Sequence, residues 1–583
     1  MNRVEAGRSR LTAQVVAKID AGSVDAPHFQ ESCGAEQGSS KGRIAVGIFL
    51  LVLSVYALTS PGRIDIVDGQ ARFDVAYNWV TEGRPVVTDK LIGPFMSVLG
   101  RDGLRYSYFG APASIFSAPL VWIGIHTSAQ GRLTSQFLFS LTSSIFGAGI
   151  APILFLFYLE LGVAVRKALG WTMVSSLATL LWPVSNSTFD NAQHAFFALG
   201  AVYFGYLSVR RKSQSYALAG GLMAGVLILY QEYFLLVVPA LALCTVAWNA
   251  SASHVEDWIP RLRRLLREAW DGPGEARSSC ARYFLFAAGV SAGLVLSLAY
   301  NDLRFGSWLH DGKINAASQK NFPLFGNPLA GLLTLLVSPG KSVFLYSPPL
   351  ILGILGFREL RRRAPQLVAA ITLASLILIS FISCISFAGG DWCWGPRYLT
   401  PLLPLWALGF PFTIDFDVYR NSARRNNVRR NLAVGLIGAG LIVQVLALSV
   451  ETQRFFFERN LEDFFWARDS WFYFENSALV ARVGEVASLN EGLPPTAQLF
   501  DSLPDLPTYC VLGPPPFIPR SMAAIWIRNF KIFFLPRPWP LWMAWLPPAL
   551  RPVNIIAWLL GLLGLGGLGA GMIYRGCRIR EWE

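Results

Sequence analysis

The sequence predicts an all-α polytopic membrane protein. Three observations carry that prediction. The 583-residue chain is 53% hydrophobic and only 15% charged, against about 25% charged residues in an ordinary soluble domain. Apolar runs recur from about residue 44 to the end of the chain. Arg and Lys cluster in the short stretches between those runs. A hydrocarbon core about 30 Å thick takes about 20 apolar residues of helix to cross, and helices satisfy their own backbone polar groups there. The net charge of +13 does not indicate nucleic acid, because the basic residues are not interleaved with aromatics on a soluble domain.

Spans are expected at about 44–60, 133–161, 168–184, 191–209, 215–230, 233–248, 283–300, 341–357, 367–387, 398–416, 432–450 and 554–574, a bundle of about 12 helices. With the N-terminus inside and strict alternation, the inner loops hold Arg166 and Lys167, Arg210 to Lys212, Arg261 to Arg267, Arg358 to Arg363, Arg424 to Arg430, and Arg575 to Arg580. Every one is basic, as cytoplasmic loops are, and both termini fall inside. The apolar stretch 110–125 would invert all later loops if it crossed, so it is expected as an interfacial or re-entrant helix on the outer face. Pro348 and Pro349 predict a kink in the span at 341–357.

The rest of the chain divides around this module. Residues 1–42 are polar and poor in aromatics and read as a disordered cytoplasmic tail. The module itself runs over 43–450, with outer loops at 61–132 and 301–340. Residues 451–553 form a third outer segment, whose FFWARDSWFYF stretch suggests an interfacial element. The last span and a short inner tail occupy 554–583. Seven Cys and five His show no metal-ligand spacing. Cys244 and Cys384 sit in apolar runs and read as buried thiols. A disulfide between Cys393 and Cys510 is open in an oxidising compartment.

Ionisable groups beside lipid are costly and mark functional sites. The first outer loop carries Asp65, Asp68, Arg72 and Asp74 within ten residues. Other outer span ends add Asp190 and His194, Glu232, Arg304, Lys341, Asp391 and Arg397. Carboxylates and cations on one membrane face suit transfer chemistry. Cations clamp a phosphate leaving group, and a carboxylate takes the proton of an attacking hydroxyl or amine. Each residue also has a non-catalytic reading. Asp68 opens the expected helix 69–82 and can cap it. Arg397 can reach to headgroups, Lys341 and Tyr106 can be interfacial anchors, His194 can be a packing histidine, and Arg304 can pin its loop.

The order of DGQARFDVAYNWVTEGR, GRDGLRYSYFGAPASIFSAPLVWIG, YNDLRFGSW, LVSPGKSVFLYSPPL and DWCWGPRYLTPLLPL resembles the GT-C superfamily of polyprenyl-phosphate-sugar-dependent glycosyltransferases. It is similar to the family 39, protein O-mannosyltransferase and lipid A aminoarabinose transferase group, over about residues 44–574. The resemblance implies inverting transfer of a sugar from a polyprenyl-phosphate donor to a glycan, lipid or protein acceptor. It implies transfer on the outer face of a membrane, expected here to be a bacterial inner membrane. It implies an Asp general base in the first outer loop, which Asp68 matches best, with Asp65 second. It implies phosphate or sugar contacts for Arg397 and Lys341. Arg72, Tyr106, Asp190, His194, Glu232, Arg304 and Asp391 complete the expected substrate-binding set. The family often has Glu directly after its Asp; here Gly69 follows Asp68, which weakens a metal-site reading. No cofactor is expected, and the need for a divalent metal stays open. The rival readings are a lipid or sugar transporter or flippase, and a non-catalytic relative.

Overall fold

A computed structural model describes residues 26–89, 93–127, 131–245, 274–320, 324–390, 393–413, 423–450, 452, 455, 471–474, 477–487 and 551–579. The described chain is almost wholly helical. Six helical stretches are long and apolar enough to cross a membrane: Ser40–Thr59, Thr134–Glu160, Cys280–Phe305, Pro365–Cys384, Val428–Ser449 and Ala557–Cys577. They coincide with six of the expected spans, and the protein is an all-α polytopic membrane protein.

The elements used below are α1 (Ala26–Thr59), α2 (Val67–Glu82), β1 (Ser97–Leu99), β2 (Arg105–Ser107) and α3 (Pro112–Thr127). After them come α4 (Thr142–Glu160), α5 (Asn191–Arg210), α6 (Gln214–Tyr230) and α7 (Gly274–Phe305). The chain continues through α8 (Gly312–Lys320), α9 (Pro365–Cys384), α10 (Ala423–Ser449) and α11 (Arg551–Ile579). The first and last helices pair along Gly47 and Gly569, and α6 pairs with α7 along Gly221, Gly225, Gly289 and Gly293. Lipid gives no hydrophobic drive between helices, so small residues that let backbones approach closely hold such pairs. The helix α1 also reaches back to Ala26, into the segment expected as tail.

Four expected spans are not single helices. The run at 168–184 is Val165–Leu177 followed by Leu181–Ser185. The run at 341–357 is Val343–Tyr346 followed by Leu350–Arg363, broken at the two prolines. These two breaks face each other, and the Leu180 amide donates to Ser347 Oγ at 2.8 Å. The run at 398–416 holds Pro401, Pro404 and Pro411 and winds as 3-10 turns and one short helix, because each proline removes a backbone donor. The run at 233–248 is likewise short turns as far as Thr245. Leu181–Ser185 and Leu403–Ala407 are buried throughout. Irregular backbone is tolerated at membrane depth only where protein surrounds it.

The loop after the first span folds over one end of the bundle. In it α2 and α3 pack together, and β1 pairs antiparallel with β2, Val98 opposite Tyr106. This hairpin is the one sheet among the described residues and was not foreseen. The stretch at 110–125 is the helix α3, shorter than a span. At the other end of α4 and α5, Glu160 takes Arg211 at 2.6 Å and Arg210 at 3.5 Å. The basic loop after α5 thus lies at the end away from the carboxylate-bearing loop.

Candidate active site

The site grows from the turn between Ser185 and α5, sequence NSTFD. Asp65 holds this turn. Its carboxylate accepts from Ser187 Oγ at 2.7 Å, from the Thr188 amide at 2.8 Å and from Thr188 Oγ1 at 2.5 Å. Asp65 is 3% exposed, and both of its oxygens are engaged in this anchor. The turn sets Phe189 and Asp190 beside the N-terminus of α2.

That N-terminus differs from the expected one. The helix begins at Val67, Ile66 stands at the N-cap, and no side chain caps it. Asp68 lies inside the first turn, so the capping reading fails. Its Oδ2 instead meets Arg397 Nη1 at 3.2 Å. The two side chains are 14% and 10% exposed, so the pair stands at the rim of the buried region. Gly69 has a steric reason. A Cβ there would lie 2.2 Å from Thr188 Oγ1 and 2.7 Å from Thr188 Cβ. No second carboxylate fits beside Asp68 unless the turn held by Asp65 moves.

Arg397 is fixed on every side. Its Nε donates to the Gly390 carbonyl at 2.9 Å and its Nη2 to Tyr398 OH at 3.2 Å. The guanidinium lies 3.7 Å over the Phe189 ring, a cation–π contact worth about 2 kcal/mol when desolvated. Gly390 has a φ of +77°, open to glycine at no steric cost, and this turns its carbonyl toward Arg397.

One turn deeper, Arg72 Nη2 meets Asp190 Oδ2 at 2.9 Å, and His194 Nε2 stands 3.5 Å from the same oxygen. Arg72 also covers the Phe109 ring at 4.0 Å. Burial alone would raise the Asp190 carboxyl, but Arg72, His194 and Arg397 together hold it well below the usual range. The Arg72 Nε and Nη1 atoms are buried and have no hydrogen-bond partner among the described residues. An unsatisfied buried donor of this kind is costly, and an arriving anion satisfies it. Tyr108 lies within electrostatic reach of Asp68, Arg72, Arg397 and Tyr398.

Two other expected cations hold backbone. Lys341 Nζ is wholly buried and donates to the Cys393 carbonyl at 2.7 Å and the Gly395 carbonyl at 3.4 Å, with Trp471 stacked 4.6 Å away. It ties the SPGK turn to the CWGPR stretch that presents Arg397. Arg304 donates to the carbonyls of Ser107 at 2.6 Å and Phe109 at 3.0 Å and to Asn301 Oδ1 at 2.7 Å. It fastens α7 to the strand leaving the hairpin, as its loop-pinning reading expects.

The remaining residues are dispersed. Asp74 is buried and accepts from the Thr88 and Asp89 amides and from Arg132. Tyr106 donates to Asp102 at 2.9 Å on the hairpin. Burial, then that carboxylate, pushes its hydroxyl up to about 12. Glu232 opens the 3-10 turn after α6, with Ser297 Oγ 3.4 Å away. Asp391 and Cys510 lie outside the described residues, as does most of FFWARDSWFYF. Cys244 is buried, whereas Cys384 is only partly so.

Sequence reading missed Lys313. It sits on the polar α8, where nothing in the local pattern distinguishes it, yet its Nζ bonds Gln231 Oε1 and lies 5.4 Å from the Tyr233 ring. Among the described residues, no three His, Cys, Asp or Glu side chains are grouped to hold a metal ion.

Neither a protein-family model nor the sequence of a curated protein matches the chain. Among solved structures, it is similar to the crystal structure of ArnT from Cupriavidus metallidurans bound to undecaprenyl phosphate. That likeness has a TM-score of 0.41 and 14% identity and covers 90% of this chain and 77% of the other. The apo form of the same protein gives a TM-score of 0.39 and 12% identity over 93% and 76% of the two chains.

Proposed function

We propose that the protein is a GT-C-type membrane glycosyltransferase that moves a sugar from a polyprenyl phosphate to an acceptor hydroxyl or amine on the outer membrane face. The observation that carries this reading is a pair of buried arginines whose charges both reach Asp190. Arg397 also meets Asp68 at the rim, and Arg72, one turn further along α2, has two unpartnered donors. A phosphate needs several donors in fixed positions, and proton transfer needs a carboxylate within reach.

In this mechanism the lipid phosphate takes the donors of Arg72 and part of those of Arg397. Asp68 loses its partner and turns to the acceptor. The acceptor oxygen or nitrogen attacks the anomeric carbon from the side opposite the phosphate, and its proton goes to Asp68. The bond from the anomeric carbon to the phosphate oxygen breaks, its electron pair leaving on the phosphate, and the sugar configuration inverts. Arg72 and Arg397 stabilise the charge that develops there. Asp190 orients Arg72, while Lys341 and Arg304 keep the loops in register. The basic loop beside Glu160 supports a reading in which that face and both termini are cytoplasmic and the membrane is a bacterial inner membrane.

A transporter reading draws on one observation, the four interrupted helices, which many transporters use at their sites. One assay separates the two. Protein in sealed proteoliposomes is given radiolabelled polyprenyl-phosphate-linked sugars and extracted membrane acceptors. The proposed function predicts a new labelled product and release of free polyprenyl phosphate. Movement of intact donor across sealed vesicles without product would overturn it.

A further inference from the structure

Gln231, Glu232 and Lys313 make a second polar group that the mechanism above leaves unused. Three structural facts define it. Gln231 and Glu232 form the turn between α6 and the following 3-10 helix, while Lys313 arrives from the second outer segment and bonds Gln231 Oε1. Glu232 and Lys313 attract each other, but no ion pair closes between them among the described residues. The group also adjoins the arginine site: Lys313 lies within reach of the charges of Asp190 and Arg72, and the Tyr233 hydroxyl within reach of Asp190, Arg397 and Glu232. Asp311 shares the neighbourhood, but its Oδ1 accepts from the Ile314 amide at 2.6 Å and so caps α8.

We infer that Gln231, Glu232 and Lys313 form the subsite for the transferred sugar, and that this sugar is neutral where they touch it. The inference rests on the transferase reading and names its substrate class. A carboxylate and an ammonium brought into one neighbourhood by the Lys313–Gln231 bond, with no ion pair between them among the described residues, match one kind of group between them. A hydroxyl donates to Glu232 and accepts from Lys313 at once. A sugar ammonium placed there keeps Glu232 as partner but is repelled by Lys313, and a sugar carboxylate keeps Lys313 but is repelled by Glu232, so a charged substituent uses one of the two groups where a hydroxyl uses both. Tyr233 adds an aromatic ring beside them, stacked 5.1 Å from Phe381 and 5.4 Å from the Lys313 ammonium. Burial raises the Glu232 carboxyl and lowers the Lys313 ammonium, and the charge of each opposes the shift of the other.

The test is binding to the full chain in nanodiscs of four lipids: undecaprenyl phosphate, its glucosyl ester, its mannosyl ester and its amino-pentosyl ester. The expected result is that a neutral-sugar ester binds tighter than both the bare lipid and the amino ester. Glu232→Gln and Lys313→Met each remove that advantage, about tenfold or more for a lost charged hydrogen bond. Both leave the affinity for undecaprenyl phosphate unchanged, which also reports that the variants are folded. Tighter binding of the amino ester, or equal binding of all four, overturns the sugar inference while leaving the phosphate site standing. Failure of wild type to bind any of the lipids overturns the transferase reading and the subsite with it.

Discussion

Two aspartates three positions apart have different tasks. Asp65 spends both oxygens on Ser187 and Thr188, while Asp68 holds one arginine at the rim. Asp68→Asn is therefore expected to lower sugar transfer by roughly 10²–10⁴-fold with unchanged thermal stability. Asp65→Asn is expected to lower stability, by about 1–3 kcal/mol for the hydrogen bonds it weakens. Differential scanning fluorimetry beside a transfer assay separates the two; equal loss of stability in both would contradict the division. Glu232 gives a pH signature. Burial first, then the charge of Asp311, holds its carboxyl above the usual value, with Lys313 and Arg304 pulling the other way. The carboxylate is present above that raised value and takes a proton as the pH falls through it. Affinity for a sugar-bearing donor is thus expected to fade at a higher pH than an ordinary glutamate would give, and Glu232→Gln is expected to erase that limb of the binding–pH curve. Asp68 was legible in the sequence because polar charge beside lipid is rare. Its pairing with Arg397, 329 positions away, was not, since no local pattern encodes a contact of that span.

At the scale of elements, short motifs spread along the chain become one assembly through cations that bind backbone. Arg304 joins the YNDLRFG end of α7 to the YSYFG strand, and Lys341 joins SPGK to CWGPR. Arg304→Met leaves the carbonyls of Ser107 and Phe109 without this donor, and a lost hydrogen bond to a charged group costs about 1.5–3 kcal/mol. Faster proteolysis of the hairpin region and a lower melting temperature are expected; an unchanged melting temperature would contradict the clamp. The sequence motifs announced these cations but not their targets, because a carbonyl partner leaves no trace in residue identity. The long apolar helices α1, α9, α10 and α11 were readable from hydropathy alone. The interrupted segments were not, since an apolar run reads alike whether it is wound once or broken at a proline and repacked.

At the scale of the whole molecule, the account requires two chemically distinct ends. Glu160 with Arg210 and Arg211 marks one; Asp68, Arg72, Asp190 and Arg397 mark the other. The exposed positions Glu82 and Arg362 report them. In intact cells a membrane-impermeant thiol reagent is expected to label Glu82→Cys and to spare Arg362→Cys until the membrane is opened; the reverse pattern would invert the topology. The central claim is that Arg72 and Arg397 receive the lipid phosphate and thereby free Asp68. A cryo-electron microscopy structure of the protein with bound undecaprenyl phosphate tests it most directly. The account predicts phosphate oxygens within hydrogen-bonding distance of both guanidinium groups, with the contact between Asp68 and Arg397 opened. A phosphate bound elsewhere, with that ion pair intact, would contradict it.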